Sequence, residues 1–600
     1  MKKNGQIEVD SQNIFPIIKK WLYSDKDIFL REIVSNACDA ISKLAHLNLM
    51  GELDKEPDKA RIDIRVNKDE KTLIVSDNGI GMTAAEVEDY ITKIAFSGAA
   101  DFIEKYKDKT DGDCGIIGHF GLGFYSVFMV SDKVEIETLS YQNNEKPVHW
   151  TSDGSYTYEI EDGQRTQAGT SIILHINDES AEFLDENKIR QMLNKYCQFM
   201  PYEIYLNSEG KDDEKPVNNT NPLWLKAPKD CTKQEYEDFY REIFTDFNAP
   251  LFWIHLNVDF PFRLKGILYF PKQSNRVEVM PGQVKLYNNQ VYIADNIKEV
   301  IPEFLMLLKG VIDCPDLPLN VSRSFLQNDR DVQKISKHIT KKVSDKLHSI
   351  FKQNREDFEK YWEDIAPFIK FGCIKEENFY DRVKDIILLK TINGQYETLQ
   401  EFKDENNGKF FYVTDENLQS QYIDIFKDNN MNAAVLSHAI DAHFISFLEY
   451  KDNEFKFSRI DSSVDEALKS TDSEDESSYE NLVQSFKTAI DDDKTTIEAQ
   501  NLKSKNTPAI IIIPEFERRM KEMGSMYGDM FKNQPVSETL VINTANDIVK
   551  KIDTLNEEDK NIVCKYIYNL AKLNNKKLTA EEISEFTKRS TDILQLIFDK

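Results

Sequence analysis

The sequence predicts a multidomain α+β chain, on three observations. Its 600 residues suffice for roughly four domains of about 150 residues each. Strand-like runs alternate with helical periodicities through the first third, and helical periodicity dominates after residue 482. With 40% hydrophobic and 11% aromatic residues, the chain can bury several cores.

A helical pattern over 26–46 opens the first domain. KTLIVS (71–76), KVEIET (133–138), 157–160 and TSIILHI (170–176) read as strands, with further helical patterns over 84–94 and 183–197. NSEGKDDEKPVNN (207–219) has almost no apolar content; it places a short charged linker at 209–221, after a first domain of 1–208. A second, α/β domain (222–478) opens with Pro222-Leu223-Trp224. It carries strand-like GILYFP (266–271) and VKLYNNQVYI (284–293) and a helical stretch over 331–362. The polar run SSVDEALKSTDSEDESSYENL (462–482) marks the next boundary. Residues 479–600 read as mainly helical, closing on a segment (578–598) where Ile583, Phe586, Ile593, Leu594 and Ile597 form an apolar stripe. There is no internal repeat.

Composition narrows the function classes. A net charge of −28 and a pI near 4.9 disfavour a sequence-independent grip on nucleic acid. The seven cysteines (38, 114, 197, 231, 314, 373, 564) are scattered without a CxxC, as expected of reduced core residues. No HExxH occurs, which argues against a zinc hydrolase. Met1–Asp10 lacks an apolar stretch behind its lysines and no run approaches a membrane span, so a soluble, cytoplasmic protein is expected.

Chemistry concentrates first in FLREIVSNACDAISKL (29–44). Phe29, Ile33, Ala37, Ile41 and Leu44 recur at the spacing of a buried helical face, while Glu32, Asn36 and Lys43 form a second row with Asp39 one turn from Asn36. Such a row fits either a solvated side or a site for magnesium with a nucleotide phosphate. An amide oxygen is a hard ligand for Mg²⁺, and a nearby carboxylate can orient water. Downstream, the strand Leu73–Val75 runs into Asp77-Asn78-Gly79-Ile80-Gly81-Met82. That is either an ordinary Asp-Asn-Gly turn or a carboxylate accepting from an exocyclic amine above close-packed glycines. The glycine-rich Gly115–Phe124 precedes an apolar helical run, a place where backbone N–H groups can surround phosphate, although it is neither a Walker loop nor a dinucleotide fingerprint. Gly169-Thr170 then opens a strand and sets a hydroxyl at its start.

Taken together and in this order, the four pieces resemble the split-ATPase superfamily of gyrase, mismatch-repair, histidine-kinase and heat-shock ATPases. The resemblance implies an N-terminal α/β sandwich of the Bergerat type. Asn36 would hold Mg²⁺, Asp77 the adenine amine and Gly121 and Gly123 the phosphates of ATP, with Thr170 supporting the adenine side. It extends the nucleotide contacts to Asp39, Gly81, Met82, Gly118 and Phe124, and makes about 92–120 a hinged lid. FLREIVSNACDA, SDNGIGMT, IGHFGLGFYSVFMVSDKV and DLPLNVSRSFLQ (316–327) narrow the resemblance to the ninety-kilodalton heat-shock chaperones in their bacterial form. Two positions depart from that family: Phe96 stands where a lysine is usual, and Tyr90 where a small polar residue is frequent.

That resemblance implies an ATPase doing conformational work on proteins. Glu32 would be the general base. Arg323, reaching across from the second domain, would meet the γ-phosphate while Gln327 and Asn320 anchor a closed state. Met520, Met523, Met526 and Met530 recur at helical spacing, and with Trp224 and Trp253 are candidates for holding unfolded clients; a buried helix and core packing are the alternatives. The C-terminal helices would pair two copies into a homodimer, with co-chaperones as further partners and neither nucleic acid nor membrane. A nucleic-acid-handling ATP clamp and a non-hydrolysing ATP-binding scaffold are the competing classes. A histidine kinase is disfavoured, since neither a membrane sensor segment nor a phosphoacceptor helix is evident.

Overall fold

The computed structural model describes the chain except for residues 1–24, 54–55, 94–95, 97, 99–101, 103–104, 106–115, 119–120, 156, 209–214, 247, 273–282, 297–299, 318–329, 463–478, 492–494, 516, 518, 520–536, 574–578 and 599–600. It divides into two compact units, Met1–Val343 and Ser344–Lys600.

Among the described residues the first unit holds helix α1 (Ile28–Leu49) and a seven-stranded sheet. The strands are β1 (Arg61–Asn67), β2 (Thr72–Asp77), β3 (Ser131–Leu139), β4 (Val148–Ser152), β5 (Glu159–Asp162), β6 (Gly169–Ile176) and β7 (Glu203–Ser208), in the order β5-β4-β3-β6-β2-β1-β7. All neighbours are antiparallel except β1 and β7. Alternation decides which face is covered. Ile62, Ile64, Leu73, Val75, Val134, Ile136, Leu174 and Ile176 point inward and are buried, together with the α1 stripe Phe29, Ile33, Ala37 and Ile41. On the opposite face lie polar residues such as Glu135, Glu137, His149 and His175, whose side chains pair across the strands. The result is a helix layer on one side of a mainly antiparallel sheet. β1 was not among the expected strands, although RIDIRVN alternates strictly.

The expected helix over 183–197 is two elements. A 3₁₀ segment (Asp178–Leu184) is followed by helix Glu186–Tyr196, because Asp185 caps the second through Asn187 N–H at 3.1 Å. Chain leaving β7 is tied back to the first sheet: Asn218 Oδ1 accepts from Ile204 N–H, and its Nδ2 donates to the carbonyls of Met200 and Tyr202. A second sheet follows, β8 (Phe252–Val258), β9 (Leu264–Phe270), β10 (Gln283–Asn288), β11 (Val291–Asp295) and β12 (Lys309–Asp313), ordered β11-β10-β12-β9-β8. VKLYNNQVYI, read as strand, is a hairpin that turns at Asn289 and Gln290, both at positive φ (49° and 66°). Its core is continuous with that of the first sheet through Phe199, Trp224, Phe239 and Tyr287.

The second unit holds a five-stranded mixed sheet over 388–459 among helices, then a three-stranded sheet (Thr495–Gln500, Glu538–Asn543, Ala509–Ile512) and helices Glu557–Leu573 and Ala580–Phe598. The small sheet lies within the stretch read from sequence as mainly helical, where its three short strands were not foreseen. The expected helix over 331–362 is broken at Asn354, whose side chain accepts from Asp357 N–H at 3.2 Å and starts helix Arg355–Lys375. Among the described residues no helix is long and apolar enough to cross a membrane.

Trp224 is 1% exposed, meets the Phe199 ring at 4.7 Å and donates Nε1–H to Asp313 at 3.3 Å. It therefore offers no surface to a client, and of the two roles weighed from sequence the core one holds. Trp224→Ala should destabilise the first unit by about 3–5 kcal/mol, the usual cost of emptying a packed tryptophan site. Calorimetric unfolding of the intact chain would read this as a lowered first transition; an unmoved transition would contradict the core role.

Candidate functional site

The polar row of α1 is not a solvated side. Glu32 and Asp39 are buried with the apolar stripe, Asn36 and Lys43 are half-buried, and all four line a cavity of about 320 Å³. The same cavity is lined by Asp77, Gly81, Met82, Gly118, Gly121, Gly123, Phe124 and Thr170, so every expected nucleotide residue of the first domain meets in one place. Its size suits a small organic ligand.

One end is built by β2 and β6. Their register sets Asp77 directly opposite Thr170. The Asp77 carboxylate accepts from Gly79 N–H at 2.8 Å, and burial lifts its pKa to about 6 against the opposing pull of the Gly79 amide, Arg165 and the Thr170 amide. Thr138, which sequence reasoning did not single out, organises this wall. Its hydroxyl lies 3.0 Å from that of Thr170, donates to Gly169 O at 3.1 Å and accepts from Met82 N–H at 3.0 Å. The signal was present, because Thr138 occupies the inward register of Val134 and Ile136. Gly81 has φ of 64°, and a Cβ there would fall 1.8 Å from Leu139 O, so no side chain fits.

Glu32 lies deeper. Its Oε1 accepts from Nε and Nη2 of the buried Arg31 at 3.0 and 2.8 Å, which offsets the cost of burying either charge. Oε2 faces Gly123, where a Cβ would come within 2.7 Å of it; the missing side chain leaves room for a water or phosphate oxygen. Asp39 grips the glycine-rich stretch, with Oδ1 accepting from Ile117 N–H at 2.6 Å and Oδ2 from Gly118 N–H at 2.7 Å. After Leu122 the chain forms a 3₁₀ helix, Gly123–Met129, where the sequence reads as an apolar helical run. Phe124 is buried against Tyr125, Phe128 and Trp150.

Tyr90 and Phe96, the two positions read from sequence as unusual, sit together on the cavity wall. Tyr90 and Phe96 stack with centroids 5.9 Å apart and planes 13° apart, and Phe96 remains 40% exposed. Hard oxygen donors, Asn36 beside Glu32, suit magnesium held chiefly by phosphate. Among the described residues no cluster of three or more His, Cys, Asp or Glu could hold a metal by itself. Asn320, Arg323 and Gln327, and Met520, Met523, Met526 and Met530, lie outside the described residues. Trp253 is half-buried and stacks on Tyr236 at 4.6 Å, remote in sequence from the cavity residues. Of the cysteines, 38, 197, 314, 373 and 564 are buried and free, and Cys231 is half-buried and free.

Residues 25–180 match the family described as histidine kinase-, DNA gyrase B- and HSP90-like ATPase, which makes the first sheet and its cavity an ATPase domain of the split type. Residues 207–600 match the family described as Hsp90 protein. The chain is 42% identical to Chaperone protein HtpG of Bacteroides fragilis over 586 residues, 93% of this chain and 85% of that one. It is 40% identical to Chaperone protein HtpG of Porphyromonas gingivalis over 584 residues (92% and 84%), and 33% identical to that of Fusobacterium nucleatum over 607 residues (96% of each). The chain belongs to the Hsp90 family of ATP-dependent chaperones.

Asp39→Ala removes the acceptor of two short backbone bonds, each charge-assisted and worth about 1.5–3 kcal/mol. The amides of Ile117 and Gly118 should then exchange hydrogen faster and ATP affinity should fall about tenfold or more. Unchanged exchange at those two amides would remove the clasp.

Proposed function

We propose that the cavity binds Mg·ATP and hydrolyses it to ADP and phosphate, and that this turnover drives a dimeric chaperone acting on unfolded or partly folded proteins in the cytoplasm. One observation carries the reading: a single cavity gathers Glu32, Asn36, Asp77, the glycines of 118–123 and Thr170 from four separated segments.

Asp77 accepts the adenine exocyclic amine, with Thr138 and Thr170 fixing the wall beside it. Glycines 118, 121 and 123 allow backbone to approach the phosphates. Asn36 would hold the magnesium ion beside the phosphate oxygens; when bound, the ion neutralises their charge. Glu32 orients the attacking water through Oε2 and takes its proton, while Arg31 holds Oε1. Arg323, with Asn320 and Gln327, completes the phosphate site from the segment DLPLNVSRSFLQ, so that hydrolysis depends on closure. Dimerisation through the last helices is supported by family membership and by Ile583 and Leu594, which remain 51% and 56% exposed on the apolar stripe. Clients held by the methionine segment, Trp253 and any co-chaperones would sense the nucleotide through that closure.

Glu32→Ala should bind ATP with near wild-type affinity and lose roughly 10²–10⁴ in turnover, the usual contribution of a general base. Phosphate release and calorimetry measure the two separately, and retained turnover excludes Glu32. Asp77→Asn should bind ATP at least about tenfold more weakly, because a charged acceptor becomes a neutral amide. Wild-type affinity in that variant would place the base elsewhere.

A further inference from the structure

We propose that Arg165 is a positioning residue for base recognition: from the face of the sheet opposite the cavity it ties the end of β2 to β6 and thereby fixes the carboxylate of Asp77. The inference rests on the nucleotide assignment above and extends it to a residue that never touches the ligand.

The geometry is a three-way clamp. Nη2 of Arg165 donates to the main-chain carbonyl of Asp77 at 2.7 Å, Nη1 donates to the hydroxyl of Ser171, and Nε donates to Gln167 O at 3.1 Å. Asp77 pairs with Thr170 and Ser76 with Ser171 across the strands, and the two serine hydroxyls are 2.8 Å apart. The guanidinium therefore spans the one cross-strand step that carries both base-side residues. Space is made by Gly169, whose φ is 124° and whose Cβ would lie 2.2 Å from Asp77 O and 2.7 Å from Arg165 Nη2. The loop bearing Arg165 is itself pinned, with Gly163 N–H donating to Pro147 O at 2.9 Å and Gln164 N–H to Glu137 at 3.1 Å.

A fork of fixed planar donors sets direction, and its charge sets protonation. Two ionisable groups interact with Asp77 from the elements packed around it, Arg165 from the loop before β6 and Cys38 from α1, and Glu137 on β3 interacts with Arg165 in turn. Burial pushes the Cys38 thiol well above its usual range, so it stays neutral, and Arg165 is the cation that opposes the burial of the Asp77 charge. An ionised Asp77 accepts the amine of the base. Protonation removes that charge, so affinity should fall as pH drops through about 6.

The test is calorimetric titration of the intact chain with Mg·ADP, which is not turned over, from pH 5 to 8. For Arg165→Met the acid limb of binding should move up by about one pH unit, as expected on deleting a cation near a buried carboxylate. Affinity should then fall roughly twofold at pH 7 and about tenfold at pH 5, where the ionised fraction of Asp77 differs most. Arg165→Lys should keep the limb near its wild-type position while binding more weakly at every pH. Arg165→Gln, which retains N–H donors, serves if the methionine variant fails to fold, and the same upward shift is expected. An acid limb unmoved in the uncharged variant overturns the proposal, even if affinity falls uniformly. Absence of Mg·ADP binding by the wild type at every pH would overturn the nucleotide assignment itself, and this inference with it.

Discussion

Burying a carboxylate costs several kcal/mol unless its charge is paired or saturated with hydrogen bonds, and between α1 and its sheet three are buried around one cavity. Each is compensated differently. Glu32 has the adjacent Arg31, Asp39 has two backbone amides, and Asp77 has the Gly79 amide with a cation behind the sheet. These compensations are local and structural, so they exist before any ligand arrives. Both oxygens of Asp39 are engaged by the glycine-rich stretch, whereas Arg31 holds Oε1 of Glu32 and Oε2 faces Gly123. A domain with an all-apolar interface here would be easier to stabilise, and it would have no chemistry.

Strand register is the second condition. Side chains alternate along β2, so a slip of one residue against β6 would carry Asp77 to the outer face and bring Ser76 in. What prevents the slip is the inward set Leu73, Val75, Leu174 and Ile176, all buried beneath α1. The apolar core thus decides where the carboxylate points. Thr138 adds a lateral tie, since its hydroxyl joins β3, the start of β6 and the turn after β2 at one oxygen.

Much of this was legible in the chain. The α1 stripe and the strands KTLIVS, KVEIET and TSIILHI find their place in the structure because each follows from a local period, and the order of the four motifs was legible only through the family resemblance it carries. What was not legible depends on distant partners. Nothing near Arg165 in QRTQAGT announces that its fork reaches Asp77 O, 88 positions away in sequence. The turn at Asn289-Gln290 carries no glycine and reads as continuous strand, although its two positive φ values fold it back. The small sheet in the last third was missed for a similar reason, since AIII and TTIEAQ are too short to declare a period and become strands by pairing with residues 538–543.

The cavity wall at Tyr90 and Phe96 is held by a stack of two aromatic rings. An aromatic stack of this kind contributes about 0.5–1.5 kcal/mol beyond its buried area, and Lys93 Nζ lies 5.8 Å from the centroid of the Phe96 ring. Among the described lining residues the cations are Lys43 and Lys105, and Lys43 belongs to α1, one turn beyond Asp39. Glu32, Asn36, Asp39 and Lys43 therefore follow one another at spacings of four, three and four along a single helix. Their relative positions are set by helical geometry, and their common direction by the apolar stripe on the other side. Rotating α1 to relieve one buried charge would expose Phe29 and Ile33, so the core holds the acid, the amide and the cation in register together.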